Sequence, residues 1–352
     1  MSHGQKTKED SDGNVDLESS RLDKGVIRRR TQHINLARDD SEIEPDMMPK
    51  FVSLVKTCVG SSDIGFSFGF EKLSLVLANG KTLVAPQSGS IRQGSVWSVM
   101  GPSGAGKTRT TGQLYLNGVP AQITKFKKLI GYVPQDDVLV PECTVRENIM
   151  HSAMIRLPRT WNDAQRTEYI DTLLSCLNLT EVQHNIVGDE VASYISGGQR
   201  KRVSIGTELA AAPMALVLDE PTSGLDATTS LSIMRLLQNL SQQGVTVICI
   251  LHQPRPEIFD HVDGITLLGH GHQIYHDRMS GLADYFHTLG LHIPSGMNIA
   301  DAALDIMSGG SRLLCNTAIG LASAAPGVKI FGEESMASPC DKLHLHLSAQ
   351  DS

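Results

Sequence analysis

The chain has 352 residues, 40% of them hydrophobic and 20% charged, with a formal net charge of −7. This length can bury one large core or two small ones. The acidic balance argues against nucleic acid as a partner, because nucleic-acid-binding domains are typically basic. Six scattered cysteines without a Cys-x-x-Cys pair argue against a disulfide framework and against a zinc site.

The hydrophobic runs of this chain are short. No stretch approaches the ~18 consecutive apolar residues of a membrane helix, and the N-terminus lacks the apolar core of a signal peptide. We therefore expect the chain, as given, to contain no transmembrane segment and no signal peptide.

The N-terminal half is predicted to open with a leader and continue into strands. Residues 1–50 are rich in Ser, Asp, Glu, Lys and Arg, which predicts a disordered leader. We expect order to begin near Phe66. Alternation over 68–77 predicts a strand that ends at an Asn79-Gly80 turn. Residues 95–100 form a short apolar run that leads directly into a glycine-rich segment.

Strand and helix patterns alternate over the rest of the chain. Helical periodicity runs from 144 to about 179, and Asp226 is predicted to open a second helix that closes at Gly244. Apolar runs at 215–218 and 245–251 predict buried strands. This alternation indicates an α/β domain with a largely parallel sheet. Residues 311–352 have no clear period and are predicted to be an irregular tail.

The glycine-rich segment at 101–108 reads Gly-Pro-Ser-Gly-Ala-Gly-Lys-Thr and fits the P-loop pattern G-x-x-x-x-G-K-[ST]. Glycines let successive backbone N–H groups face phosphate oxygens. The lysine is suited to neutralise phosphate charge, and the threonine hydroxyl is suited to ligate Mg²⁺. The predicted nucleotide-binding residues here are Gly101, Ser103, Gly104, Gly106, Lys107 and Thr108.

The predicted strand at 215–218 is followed by two acids, Asp219 and Glu220. Asp219 is placed to hold the water shell of Mg²⁺, and Glu220 to polarise an attacking water. Two acids after a strand also occur as a helix cap. The P-loop upstream favours the catalytic interpretation.

Three further motifs are Gln135, the Ile-Ser-Gly-Gly-Gln peptide at 195–199, and His252. With the P-loop and the two acids, they follow one another along the chain in the order found in ATP-binding cassettes. The chain from about 66 to 309 resembles the nucleotide-binding domain of an ABC transporter. Residues 198–205 and 298–301 make the resemblance closest to the G subfamily. It implies a P-loop NTPase fold with a mainly parallel core sheet, N-terminal antiparallel strands and a helical subdomain at about 140–210. We take the ATP-binding domain as 51–310.

The resemblance also implies roles for further residues. Gln135 matches a γ-phosphate sensor and Mg²⁺ ligand that faces the transport domain, and His252 matches a switch histidine, so both join Glu220 as implied catalytic residues. The signature residues, which contact ATP bound to the other subunit of a dimer, are Ser196, Gly197, Gly198 and Gln199. Asp226 matches the D-loop.

The implied function is ATP and Mg²⁺ binding and ATP hydrolysis, which power transmembrane export through head-to-tail dimerisation of two cassettes. The implied location is the cytoplasmic face of a membrane, against a membrane domain that this chain does not contain. A soluble ABC ATPase acting on ribosomes or DNA fits less well, because such relatives usually carry two cassettes or a coiled-coil insertion.

The sequence departs from the family at three places. Roughly fifteen to twenty residues are missing after Thr108 relative to the usual strand–P-loop–helix unit. No bilayer-spanning segment follows the cassette, and Leu75 stands where the family often stacks an aromatic ring on adenine. These departures leave a second hypothesis open, a catalytically impaired nucleotide-binding remnant or a regulatory module without transport activity of its own.

Overall fold

The computed structural model describes residues 47–60, 65–101, 108–189, 193–252, 254–269, 271–289 and Ala302. The strands in this part of the chain are β1 (Phe68–Leu77), β2 (Thr82–Ile91), β3 (Val96–Met100), β4 (Thr108–Leu116), β5 (Val119–Pro120), β6 (Ile130–Val133), β7 (Ala215–Asp219), β8 (Thr246–Ile250), β9 (Gly264–Gly269) and β10 (His272–Arg278). The α-helices are α1 (Met47–Val59), α2 (Val145–Arg156), α3 (Asp163–Cys176), α4 (Gly197–Leu209), α5 (Ala227–Gln242) and α6 (Leu282–Thr288). Short 3-10 helices lie at Ile123–Phe126, Pro256–His261 and Met279–Gly281.

The described strands form two sheets. The larger has the order β10-β9-β3-β8-β7-β6 and is parallel from β9 to β6, whereas β10 runs antiparallel to β9. The smaller sheet has the order β2-β1-β4-β5 and is antiparallel throughout. The predicted α/β fold, with a mainly parallel core sheet and antiparallel strands near the N-terminus, is confirmed.

Most predicted elements lie where the sequence pattern puts them. β1 has the predicted bounds, and β3, β7 and β8 begin and end within one residue of them. The helical stretch from 144 divides into α2 and α3, because Thr144 and Asn162 each start a helix with a capping box. Helices α2, α3 and α4 fall within 140–210, while the division of the chain into domains remains a prediction.

Helix α1 corrects the expectation that order begins near Phe66. It starts at Met47, inside the stretch predicted as a leader, and buries Met48, Phe51, Val52 and Val55. The ring of Phe51 lies 5.2 Å from that of Tyr169 on α3. The apolar residues of α1 recur at helical spacing, so one face packs into the core, whereas the leader was predicted from the composition of residues 1–50, which contain only the start of this helix.

The two faces of the parallel sheet are buried to very different degrees. One face carries Leu216, Leu218, Val247 and Cys249, which are fully buried in the same cluster as the apolar residues of α4 and α5. On the other face, neighbouring strands in register present Tyr132, Val217, Ile248, Val99 and Ile250. Of these, Tyr132 is 51% exposed and Ile250 is 39% exposed. The parallel sheet is therefore covered fully on one side only.

The connection from β3 to β4 departs from a strand–P-loop–helix unit. β3 ends at Met100 in the larger sheet, and Thr108 is already the first residue of β4 in the smaller sheet, where its backbone pairs with Leu77. A P-loop is ordinarily followed by a helix that packs beside the sheet. Here the residues that follow extend a strand instead, which agrees with the half-exposed face of the parallel sheet.

His276 joins the two sheets. Its Nδ1 lies 2.8 Å from Thr266 Oγ1, and its Nε2 lies 3.0 Å from the backbone nitrogen of Ser90 on β2. Trp97 donates its indole N–H to the same threonine hydroxyl at 2.7 Å, and its ring lies 4.7 Å from the imidazole. Burial lowers the pKa of His276 below its usual 6.5, and the Ser90 carbonyl and Asp277 oppose this only in part. The neutral imidazole is therefore the form that fits this junction.

The unequal burial of the sheet predicts different costs for two isoleucines. Ile265→Ala removes a side chain that is 0% exposed and should lower the free energy of unfolding by about 2–5 kcal/mol, whereas Ile250→Ala should cost about 1 kcal/mol or less. Urea denaturation of both variants measures the difference. Equal losses would contradict a half-exposed face.

The pKa of His276 predicts an acid-sensitive junction. Because the folded pKa lies below the unfolded value, the unfolded chain takes up the proton first, so stability is retained above about pH 6.5 and declines as pH falls. His276→Gln should lose less stability between about pH 7 and pH 5 than the wild type. Burial also lowers the pKa of His261, so part of the dependence of stability on pH remains in this variant. Exposed His184, changed to Gln, is the control, and an unaltered slope in His276→Gln would refute this role.

Candidate functional site

The carboxyl ends of the parallel strands bring several of the predicted site residues to one edge. Gly101 follows β3, Gln135 lies two residues beyond β6, Asp219 ends β7, and His252 lies two residues beyond β8. Because these strands are parallel neighbours, their ends meet at the same edge, where ligands of open α/β sheets bind.

Gln135 and Glu220 are in direct contact. Gln135 donates from Nε2 to Glu220 Oε2 at 2.8 Å, although the two residues are 85 positions apart in the sequence. Glu220 has φ +46°, in the left-handed region, at a cost of about 1–3 kcal/mol for a residue with a side chain. Its backbone N–H donates to Ile250 O at 2.9 Å, which holds this turn against β8. Backbone strain of this kind is typical of functional sites.

The oxygen atoms at this edge are of the chemical type that binds magnesium. Asp219 and Glu220 offer carboxylates, and the bond to Glu220 engages the amide nitrogen of Gln135 and not its oxygen. Such hard oxygen donors are the ligands that Mg²⁺ prefers. Asp219 Oδ2 also accepts a long bond of 3.3 Å from the hydroxyl of Tyr132. Thr108 belongs to the other sheet, so its assignment as a third ligand stays a prediction.

The remaining P-loop residues cannot be placed beside these groups. Ser103, Gly104, Gly106 and Lys107 lie outside the described residues, as does the side chain of Thr108. Their predicted contacts with phosphate therefore stay predictions.

The signature peptide forms the N-terminus of α4. Ser196 is its N-cap: the hydroxyl accepts from Gln199 N at 3.2 Å, and Gln199 Oε1 accepts from Ser196 N at 2.9 Å. This capping box was not anticipated and explains why the helix begins at Gly197. Ser196 and Gly197 are exposed, so the positive end of α4 faces solvent.

The D-loop residue Asp226 is the N-cap of the neighbouring helix α5. Its carboxylate accepts from Thr229 N at 3.0 Å and from the Thr229 hydroxyl at 2.7 Å. The backbone bond, and then the hydroxyl bond, lower the pKa of Asp226. Gly198 approaches the same threonine so closely that a Cβ there would lie 2.3 Å from Thr229 Cγ2. The starts of α4 and α5 are therefore packed against each other.

Three consecutive cations anchor α4 to three different neighbours. Arg200 donates to the backbone oxygen of Gly188 at 2.9 Å, and Arg202 to Ser232 Oγ on α5 at 2.8 Å. Lys201 donates to the backbone oxygen of Gln135 at 2.9 Å. Successive helical residues point about 100° apart, so each cation reaches a different part of the domain. In the sequence these residues mark only the subfamily; the available signal for their role is a run of cations on a helix that packs into a core.

The contact of Gly198 with Thr229 predicts a loss of stability that a second substitution should restore. Gly198→Ala should lower the free energy of unfolding by about 1–3 kcal/mol, because the threonine cannot turn away without losing its bond to Asp226. Adding Thr229→Ser removes the clashing methyl, keeps the hydroxyl and should restore most of the loss. Gly197→Ala, whose Cβ meets only Leu225 at 3.5 Å, is the control. Thermal unfolding of the set decides; failure of the rescue would contradict the contact.

Known proteins match part of this chain. Residues 84–223 match the ABC transporter family. The ABC-type transporter claG of Penicillium crustosum is 43% identical over 233 residues, which are 63% of this chain and 31% of that protein. ABC transporter G family member 1 of Dictyostelium discoideum is 38% identical over 242 residues, 65% of this chain and 30% of that protein.

A third relative is the broad substrate specificity ATP-binding cassette transporter ABCG2 of Mus musculus, 40% identical over 227 residues, 61% of this chain and 34% of that protein. The chain thus spans about a third of the length of these curated relatives. None of the helices in the described ranges combines the length and hydrophobicity needed to cross a bilayer. The motifs, the fold and these matches agree: the chain carries an ABC-type nucleotide-binding domain of the G subfamily.

Proposed function

We propose that this chain binds ATP with Mg²⁺ and hydrolyses ATP as the nucleotide-binding domain of a G-type exporter. The observation that carries the proposal is the 2.8 Å contact between Gln135 and Glu220, next to Asp219, at the carboxyl edge of a parallel sheet. This contact brings together two motifs that are distant in sequence. Glu220 can accept a proton, and Gln135 beside it is the proposed γ-phosphate sensor.

The chemistry assigned to each residue follows from this geometry. Glu220 acts as the general base for the attacking water, since its backbone is fixed by β8 and its carboxylate is oriented by Gln135. Asp219 and Gln135 would hold Mg²⁺, with Thr108 as the third predicted ligand. Bound Mg²⁺ neutralises charge that develops on the phosphate oxygens, and Lys107 is proposed to share this task. His252 is proposed to sense the γ-phosphate from the end of β8.

We further propose that two cassettes bind head to tail around ATP. The exposed N-terminus of α4 supports this, because Ser196 and Gly197 lie exposed at the positive end of a helix dipole, where a partner's phosphates can be bound. The transport domain is proposed to dock beside Gln135. Val138 and Val140 follow in that loop and are 80% and 48% exposed, an apolar contact surface for a membrane domain.

The role of Glu220 predicts a separation of binding from turnover. Glu220→Gln keeps the size of the side chain and its contact with Gln135 but cannot accept a proton. ATP affinity should therefore stay within about threefold of the wild type, while the turnover rate should fall by at least about a hundredfold. Dimers should accumulate in the presence of ATP. Phosphate release, nucleotide binding and light scattering measure the three quantities.

Glu142→Gln is the matched control, because Glu142 is an exposed acid in the loop that follows Gln135. It should leave both binding and turnover unchanged. If Glu220→Gln hydrolyses ATP at the wild-type rate, Glu220 is not the general base.

A second candidate function is an impaired nucleotide-binding remnant or a regulatory module. The start of β4 at Thr108 favours it, because a strand occupies the place of the helix whose positive end normally faces the phosphates. This candidate makes no use of Lys107, so Lys107→Ala should leave nucleotide binding unchanged. A clear loss of ATP binding in Lys107→Ala would reject it in favour of the exporter cassette.

A further inference from the structure

Lys201 is a buried cation on α4, and its side chain contacts residues outside that helix. Its side chain is 4% exposed. Nζ donates to the backbone oxygen of Gln135 at 2.9 Å and lies 2.7 Å from Asp137 Oδ1. In the described part of the chain this carboxylate oxygen has no hydrogen bond of acceptable direction, so its contact with Lys201 is an ion pair without hydrogen-bond geometry. Both partners lie in the loop after β6, and neither Lys201 nor Asp137 is among the predicted site residues.

We propose that Lys201 is a positioning residue that holds Gln135 in place for Glu220. The inference rests on the proposed function and deepens it. Lys201 fixes the main chain of Gln135, while the side chain of Gln135 reaches Glu220. The glutamine is thus held at two points, its backbone carbonyl by Lys201 and its side-chain amide by Glu220.

This arrangement also connects the dimer-facing peptide to the catalytic base. Lys201 lies five residues after the N-cap Ser196, about 1.4 turns along α4. A rigid helix carries any displacement of its exposed N-terminus to Lys201, from there to Gln135, and from there to Glu220. The geometry points to a path by which a partner cassette seated on the signature peptide sets the orientation of Glu220.

The charge of Lys201 is matched to this task. A buried ammonium needs compensation, and the carbonyl of Gln135 together with the carboxylate of Asp137 supplies it. The neighbouring Arg202 is equally buried, at 2% exposure, but bonds to Ser232 on α5. Arg202 therefore offers a control of the same charge, on the same helix, that does not touch the loop of Gln135.

The test uses the full chain and four variants: Lys201→Met, Asp137→Asn, their double variant and Arg202→Met. Methionine keeps the apolar stem of the lysine and removes its charge. ATP turnover gives kcat and KM, thermal unfolding gives stability, and hydrogen exchange reports on the backbone amides of residues 135–139. The exchange measurement needs no activity.

We expect Lys201→Met to lower kcat by on the order of ten- to a hundredfold, with KM changed by less than about threefold, because catalytic groups are misplaced while binding contacts remain. The amides of 135–139 should exchange faster. Adding Asp137→Asn should recover stability, since no unpaired carboxylate is left buried, but should not recover kcat, because the Gln135 carbonyl is still unheld. Arg202→Met should leave exchange in this loop at the wild-type rate.

Two results overturn the proposal. One is wild-type kcat and loop exchange in Lys201→Met. The other is recovery of kcat together with stability in the double variant, which assigns Lys201 a structural role alone. If the wild-type chain hydrolyses no ATP, the proposed function fails, and the exchange rates of Lys201→Met and Arg202→Met then decide by themselves whether Lys201 holds the loop.

Discussion

Four parallel strands, β3, β8, β7 and β6, keep one face of the larger sheet fully buried with α4 and α5, and their common direction fixes where each chain segment leaves the sheet. Asp219, Glu220 and Gln135 meet because their strands end at one edge. The fold tolerates the strained turn at Glu220, because burial of the strands stabilises it by more than the local cost of about 1–3 kcal/mol. Without that sheet, no local interaction would bring these groups together.

The short link between β3 and β4 leaves the other face of the sheet less covered. A helix after the P-loop would normally contribute both a positive dipole end for phosphate and an apolar surface for the sheet. In this chain Thr108 enters a strand, and the face with Tyr132 and Ile250 stays partly exposed. Asp219 lies on the open face, in register with Ile250 and bonded to Tyr132, whereas α4 packs on the fully buried side and does not need the missing cover. Phosphate binding depends on it more directly.

The sequence predicts the elements whose signals are local. Apolar runs bounded by turn residues gave β3, β7 and β8, and Asp226 marked the start of α5 because an N-cap is a local feature. Helix α1 was missed because its apolar stripe is interleaved with polar residues beside a charged segment. Of the predicted site, the edge residues meet as expected from parallel strands, whereas the contacts of Lys201 depend on tertiary packing and have no local signature. The stretch from Thr108 is predicted only in part. The motif spacing indicates that a helix is missing here, but it does not predict that β-branched residues extend β4.

Calorimetric titration of the full chain with ATP and Mg²⁺ tests the central claim most directly, because it asks whether the assembled edge still binds nucleotide despite the short link. The account predicts saturable binding at one site per chain, tighter than about 1 mM and weakened when Mg²⁺ is withheld. Absence of binding up to that concentration would contradict it, and the domain would then keep the architecture of an ABC cassette without its ligand.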